Sequence, residues 1–203
     1  MKFDITGVIL AGGQNKRFPI LKGFIRCGRQ SILDRTILIF KECFNEVLIS
    51  TNAPEVYFKK GINLVGDVTE SCGPLAGILT GLINATNEYI FIAASDMPFI
   101  SIELVKHIAS SIETGVGAVV ATYNGKPEPL LALYNKKIIP TIYREIAAGR
   151  RSVREFLNMI DVKYVNESEV LKIDKEGVSF ININTVDELK RVNMKCGGEA
   201  LSI

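Results

Sequence analysis

Residues 8–23, VILAGGQNKRFPILKG, join an apolar run to two glycines and three cations, Lys16, Arg17 and Lys22. No Asp or Glu occurs from Ile5 to Leu33, so this positive charge has no local counterion. Glycines straight after an apolar run take dihedrals closed to other residues and bring backbone N–H groups against phosphate oxygens, while Lys and Arg supply countercharge. The chemistry expected here is anion binding; the structural alternative is a glycine turn followed by a solvated basic loop. The spacing is neither G-x-x-x-x-G-K-[ST] nor G-x-G-x-x-G, which sets aside the P-loop ATPases and the dinucleotide-binding dehydrogenases.

A second group lies in AASDMPFI, where Asp96 ends an apolar run and Pro98 stops its continuation. A carboxylate at the carboxyl edge of a strand, facing a basic phosphate loop, is suited to a Mg²⁺ ion that bridges phosphates. Capping a helix that begins near Ser101 is the alternative, but Asp96 stands too far upstream for it. A third group is VGDVTESCGPLAGILTGL, in which Gly73-Pro74 opens an amphipathic helix whose N-terminus favours negative charge. The Asp67 carboxylate could accept two N–H bonds from the edge of guanine, or serve as an ordinary turn or cap residue.

These groups need a scaffold. TGVILA, EVLIS, INLVG, EYIFIAAS and VGAVVATY alternate with helical patterns over 31–43, 74–86 and 101–113, which predicts α/β architecture: a single-domain, mostly parallel twisted sheet with helices on both faces. Residues 127–134, PEPLLALY, are expected to pair as an added antiparallel strand, followed by a helical segment over 135–149. Thr185 and Glu188 have the spacing of a capping box. The nucleotide-handling domain is read over residues 1–195, with 196–203 as a flexible tail. In open α/β sheets ligands bind outside the carboxyl ends of the strands, where the three groups would converge.

Composition narrows the classes of partner. At 203 residues and 47% hydrophobic, the chain suits one domain with a substantial core. A net charge of +2 argues against nucleic-acid and membrane-surface binding. Cys27, Cys43, Cys72 and Cys196 form no C-x-x-C pair, which fits reduced thiols in a cytoplasmic protein. No run reaches the roughly 18 to 20 apolar residues of a membrane span. The one histidine, His107, is expected on the surface.

LAGGQNKRFPILKG, GDVTESCGPLAGILTGL, SDMPFI, KPEPLLALY and ININTVDEL together resemble the molybdenum cofactor guanylyltransferases (the MobA family) within the glycosyltransferase-A-like nucleotidyltransferases, over residues 7 to about 192. The resemblance implies transfer of GMP from GTP, with Mg²⁺ as cofactor, to the terminal phosphate of molybdenum-molybdopterin, releasing pyrophosphate. Relatives that transfer CMP or other nucleotides share the glycine loop and the SDMP segment, and a non-catalytic nucleotide-binding homologue is the other alternative. Carried over position by position, Leu10, Ala11, Gly12 and Gly13 would lie along GTP, and Arg17 and Lys22 would offset charge on the phosphates. Asn52 would contact the nucleotide, Asp67 would read guanine, and Asp96 would hold the metal. Arg151, Asn182 and Asn184 would serve the molybdopterin side, although a basic helix start and helix capping also account for them. Proteins that deliver or accept the cofactor are further implied partners. Where the family has Arg-Met-Gly-x-Asp-Lys, this chain has Arg-Phe-Pro-Ile-Leu-Lys, so Pro19 replaces a glycine and Leu21 an acid.

Overall fold

The computed structural model describes residues 1–12, 21–27, 29–70, 73–183, 185, 188–189 and 201–202. The elements run in the order β1 (Phe3–Leu10), β2 (Arg26–Cys27), β3 (Gln30–Ser31), α1 (Ile32–Cys43), β4 (Phe44–Ser50), α2 (Pro54–Tyr57) and β5 (Asn63–Val65). Next come α3 (Pro74–Asn84), β6 (Tyr89–Ala94), α4 (Ile102–Ser110), β7 (Ala118–Tyr123) and β8 (Lys126–Asn135). The chain continues through α5 (Ile139–Ala147), α6 (Val153–Phe156), β9 (Val162–Val165), α7 (Glu167–Ile173) and β10 (Leu201–Ser202).

Seven strands form one sheet in the order β5-β4-β1-β6-β8-β7-β9. The β1, β4 and β6 runs are rich in Val, Ile and Phe and pair in parallel, as strands covered on both faces do, and the short β5 adds in parallel at the edge. β8 is antiparallel, as expected, but it lies inside the sheet, paired to β6 on one side and β7 on the other. Its two prolines are tolerated because they sit where the ladder breaks: Val120 pairs with Ala132, yet Thr122 pairs with Pro127. A separate small sheet has the order β10-β2-β3, so Leu201 and Ser202 of the tail pair with Cys27 and Arg26.

Alternation along β1 divides the core. Ile5 and Ile9 pack toward α1 and α4, whereas Val8 joins Leu48 and the α3 residues Leu75, Ile78 and Leu79 on the other face. Gly7 meets α1: a Cβ there would stand 2.5 Å from Phe40 Cδ2 and 2.9 Å from Phe44 Cδ2. Those two rings and Phe91 form a mutually packed trio, with centroids 5.2 to 5.7 Å apart. Each such pair adds about 0.5–1.5 kcal/mol beyond area burial. The expected capping box is present: Thr185 N–H donates to the Glu188 carboxylate at 3.0 Å, and Glu188 N–H donates to Thr185 Oγ1 at 3.1 Å. His107 differs from its expected surface position. It is half-buried on α4, because that helix packs its flanking Ile108 and Val105 into the core.

Candidate active site

β1, β4 and β6 end side by side, with Leu10 in register with Ser50 on one side and Ala94 on the other. A cleft of about 210 Å³ lies at these carboxyl ends. It is lined by Leu10, Ala11 and Gly12, by Lys22 and Asp96, and by Asp67 together with the first turn of α3. Six of the residues singled out in the sequence are thereby brought to one cavity from segments far apart in the chain.

The first side of the cleft is built on main-chain bonds. Ala11 N–H donates to Ser50 O at 2.9 Å, and Ser95 N–H donates to Leu10 O at 3.1 Å, which ties the end of β1 to both neighbours. The Ala11 carbonyl accepts from Thr51 Oγ1 at 3.3 Å and from Tyr57 Oη at 3.2 Å. Lys22 opens a short 3₁₀ turn, Lys22–Phe24, entered through Leu21, whose carbonyl accepts from Phe24 N–H at 2.9 Å. Leu21 packs against the core cluster around Ile9 and Leu33, a physical reason for an apolar residue at this position.

Lys22 Nζ donates to Asp96 Oδ2 at 3.0 Å, with the two side chains 20% and 19% exposed. The pairing offsets part of the desolvation that a carboxylate at the end of a buried strand would otherwise suffer. Asp96 caps no helix, because Ser101 is the N-cap of α4 and accepts from Leu104 N–H at 3.3 Å. The Asp96 carbonyl accepts from Ile183 N–H at 3.1 Å, which seats Ile183 beside it.

The other side is organised by a reciprocal pair. Asn52 Nδ2 donates to Asp67 Oδ2 at 2.8 Å, and Asp67 N–H donates to Asn52 Oδ1 at 2.9 Å. Asp67 lines the cleft; Asn52 is exposed and acts on the cavity through its hold on Asp67. The helix beyond begins at Gly73, whose φ of 72° suits glycine, with Pro74 at the first helical position.

Arg151 is exposed and is not among the residues lining the cavity, and Asn182 is half-buried beside Ile183. The neighbouring Arg150 is committed elsewhere, its guanidinium donating at 2.5 and 2.6 Å to the two oxygens of Glu145. Gly13, Arg17 and Asn184, together with Pro19, lie outside the described residues.

Three residues near the cleft escaped the sequence reading. Tyr57 lines it and is buried, and burial pushes its hydroxyl pKa up, keeping it a donor. Thr51 is its partner on Ala11. Glu128, at the irregular start of β8, accepts from Leu130 N–H at 3.1 Å. Burial raises its pKa, and the Asp96 charge adds to this while Leu130 N–H and Arg154 oppose it. No local pattern marks Tyr57 or Thr51; for Glu128, a carboxylate between two prolines was the available signal.

Among the described residues no group of three or more His, Cys, Asp or Glu side chains is arranged to hold a metal ion. Asp96 offers one hard oxygen donor set at the cleft. That fits a divalent cation held by one carboxylate and completed by substrate phosphates and water, and it does not fit an all-protein cage.

Comparison with known proteins agrees with this geometry. A molybdenum cofactor guanylyltransferase from Desulfosudis oleivorans is 34% identical over 188 residues, covering 92% of this chain and 93% of that one. A probable molybdenum cofactor guanylyltransferase from Peptoclostridium acidaminophilum is 30% identical over 192 residues, covering 92% and 87%. The crystal structure of molybdopterin-guanine dinucleotide biosynthesis protein A from Archaeoglobus fulgidus superimposes with a TM-score of 0.83 at 26% identity, over 95% of this chain and 99% of that one. The sequence pattern of the MobA-like NTP transferase domain matches residues 7–166. With a cleft at the strand ends and this match over most of its length, the chain belongs to the MobA-like NTP transferase family.

Proposed function

We propose that this protein is a molybdenum cofactor guanylyltransferase: it transfers GMP from GTP to the terminal phosphate of the molybdopterin cofactor and releases pyrophosphate. The observation that carries the reading is one cavity with the Asn52–Asp67 pair on one side and the Lys22–Asp96 pair on the other. The first suits the N1–H and 2-amino edge of guanine, and the second suits phosphates and their cation. The names of the relatives support the same donor and acceptor.

The acceptor phosphate is itself the nucleophile, so positioning and charge neutralisation are the protein's tasks, and a covalent residue is not needed. Leu10, Ala11 and Gly12, with Gly13, would lie along the nucleotide. Lys22 and Arg17 would offset charge on the α-phosphate and the leaving pyrophosphate as the acceptor attacks in line. Asp96 would hold the divalent cation, which we assign as Mg²⁺ and which would supply charge stabilisation to the phosphates. Arg151, Asn182 and Asn184 would serve the acceptor side, and the Ile183–Asp96 backbone bond supports this for the ININT segment. The location proposed is the cytoplasm; among the described residues no helix is long and apolar enough to cross a membrane.

Leu21 bears on the non-catalytic alternative. Its side chain packs into the core while Lys22 reaches Asp96, so losing the family acid has not cost the lysine a carboxylate partner. Pyrophosphate release with molybdopterin, Mg²⁺ and either GTP or CTP tests the reading. GTP should be the productive donor, and preference for CTP, or no release with either, would overturn it.

A further inference from the structure

We propose that Tyr57 and Thr51 are positioning residues for polyphosphate: their hydroxyls, converging on the Ala11 carbonyl, turn the Ala11–Gly12 peptide so that its N–H serves the nucleotide's phosphates. The inference rests on the nucleotidyl-transfer reading of the cleft and adds two residues that no sequence pattern marked.

A peptide unit is planar and trans, so its C=O and N–H point in opposite directions. The Ala11 carbonyl is taken by Thr51 Oγ1 at 3.3 Å and Tyr57 Oη at 3.2 Å, which aims the Gly12 N–H away from both hydroxyls. The preceding groups are fixed as well, Leu10 O by Ser95 N–H and Ala11 N–H by Ser50 O. Among the described residues the space around Gly12 is open, with nothing within 4 Å of where a Cβ would stand. A carbonyl turned into this space would meet phosphate oxygens with its negative end. The two hydroxyls raise the cost of that flip by the two hydrogen bonds it would break.

Both positioning groups are themselves held. Thr51 N–H donates to Val65 O at 2.9 Å, and Thr51 Oγ1 also accepts from Ala53 N–H at 3.1 Å. The Tyr57 ring tilts against Phe24, centroids 5.6 Å apart, and Phe24 closes the turn that starts at Lys22. Tyr57 thus braces both the end of β1 and the segment carrying the cleft's lysine. Asn52, which holds Asp67, follows Thr51 directly, so a single stretch from Thr51 to Tyr57 sets both sides of the cavity.

The test uses Tyr57→Phe and Thr51→Val, which remove only the hydroxyl chemistry, singly and together. Calorimetric binding of inorganic tripolyphosphate should weaken about three- to tenfold in each single variant and further in the double, the size expected of one neutral hydrogen bond. KM for GTP should rise by the same factor while KM for the acceptor stays unchanged and melting remains a single cooperative transition. Wild-type tripolyphosphate affinity in the double variant would overturn the proposal, as would failure of the unmodified protein to bind tripolyphosphate. An equal rise in both KM values would also overturn it, because it would mark a general structural role. If the variants lose tripolyphosphate affinity but the unmodified protein prefers CTP to GTP, the guanylyl reading fails and the positioning role stands.

Discussion

Replacing Asp67 by asparagine tests the base-reading side with a change of only one atom. In the unmodified protein Asn52 Nδ2 donates to Asp67 Oδ2 at 2.8 Å, while the return bond from Asp67 N–H to Asn52 Oδ1 fixes which end of the Asn52 amide faces Asp67. Asn52 must therefore still find an acceptor after the substitution, so the new amide turns its oxygen toward Asn52 and its NH₂ toward the cleft. Guanine then presents N1–H and a 2-amino group to a donor. The loss combines one charge-assisted hydrogen bond, about 1.5–3 kcal/mol, with unpaired donors costing about 1–3 kcal/mol. Because the cleft is open to water, the lower part of that range applies, about 2.5–4 kcal/mol in all. This corresponds to about a 100- to 1,000-fold fall in kcat/KM for GTP. Xanthine carries a carbonyl where guanine has the amine, and that oxygen accepts from the new amide. Asp67→Asn should therefore prefer XTP to GTP, reversing the order of the unmodified protein. The assay is the ratio of kcat/KM values with the two nucleotides in competition, alongside a melting curve to verify folding. If the variant keeps the original preference for GTP, Asp67 does not read the base.

Asp96→Asn should abolish both nucleotide-dependent Mn²⁺ binding, followed by electron paramagnetic resonance, and transfer; full Mn²⁺ binding in the variant would move the metal site elsewhere. Gly7→Ala drives a methyl into the Phe40 and Phe44 rings and should cost about 1–3 kcal/mol, read as a lower urea midpoint at unchanged slope. Glu128 has a raised pKa in the folded chain, so its contribution to stability is fully present below the ordinary carboxylate value and is lost as pH rises through the folded value. Glu128→Gln should accordingly gain stability relative to the unmodified protein as pH rises from the ordinary carboxylate value through the raised folded value, measured by denaturant titration across that rise. A constant difference across that range would refute the assignment.

The scaffold was legible where local pattern decides. The apolar runs TGVILA, EVLIS and EYIFIAAS announced strands of a mostly parallel sheet, and the rule that loops gather at their carboxyl ends then brought together Ala11, Asp67 and Asp96. β8 was read as antiparallel, but its prolines concealed a position inside the sheet, since they are compatible with it only through the register shift near Pro127. β9, the mixed run VKYV, was missed because four residues without clean alternation carry little strand signal. α7 was also missed, although Asn166 and Glu169 form a capping box that the spacing of their types could have shown. Contacts between distant residues remained hidden for a different reason. Lys22 and Asp96 are 74 positions apart and Tyr57 and Ala11 are 46 apart, distances over which sequence pattern says nothing about who meets whom.

The antiparallel pairing of β6 with β8, where Leu131 meets Ala93, also marks a boundary in inheritance. Everything proposed to handle the nucleotide, from Leu10 to Asp96, precedes β8 in the chain, and the proposed acceptor residues, from Arg151 to Asn184, follow it. A relative could therefore retain its donor chemistry and acquire a new acceptor by exchanging one contiguous C-terminal stretch. Such an exchange must preserve the backbone ladder along β6 and the bond from residue 183 to Asp96; the side chains beyond are free to diverge.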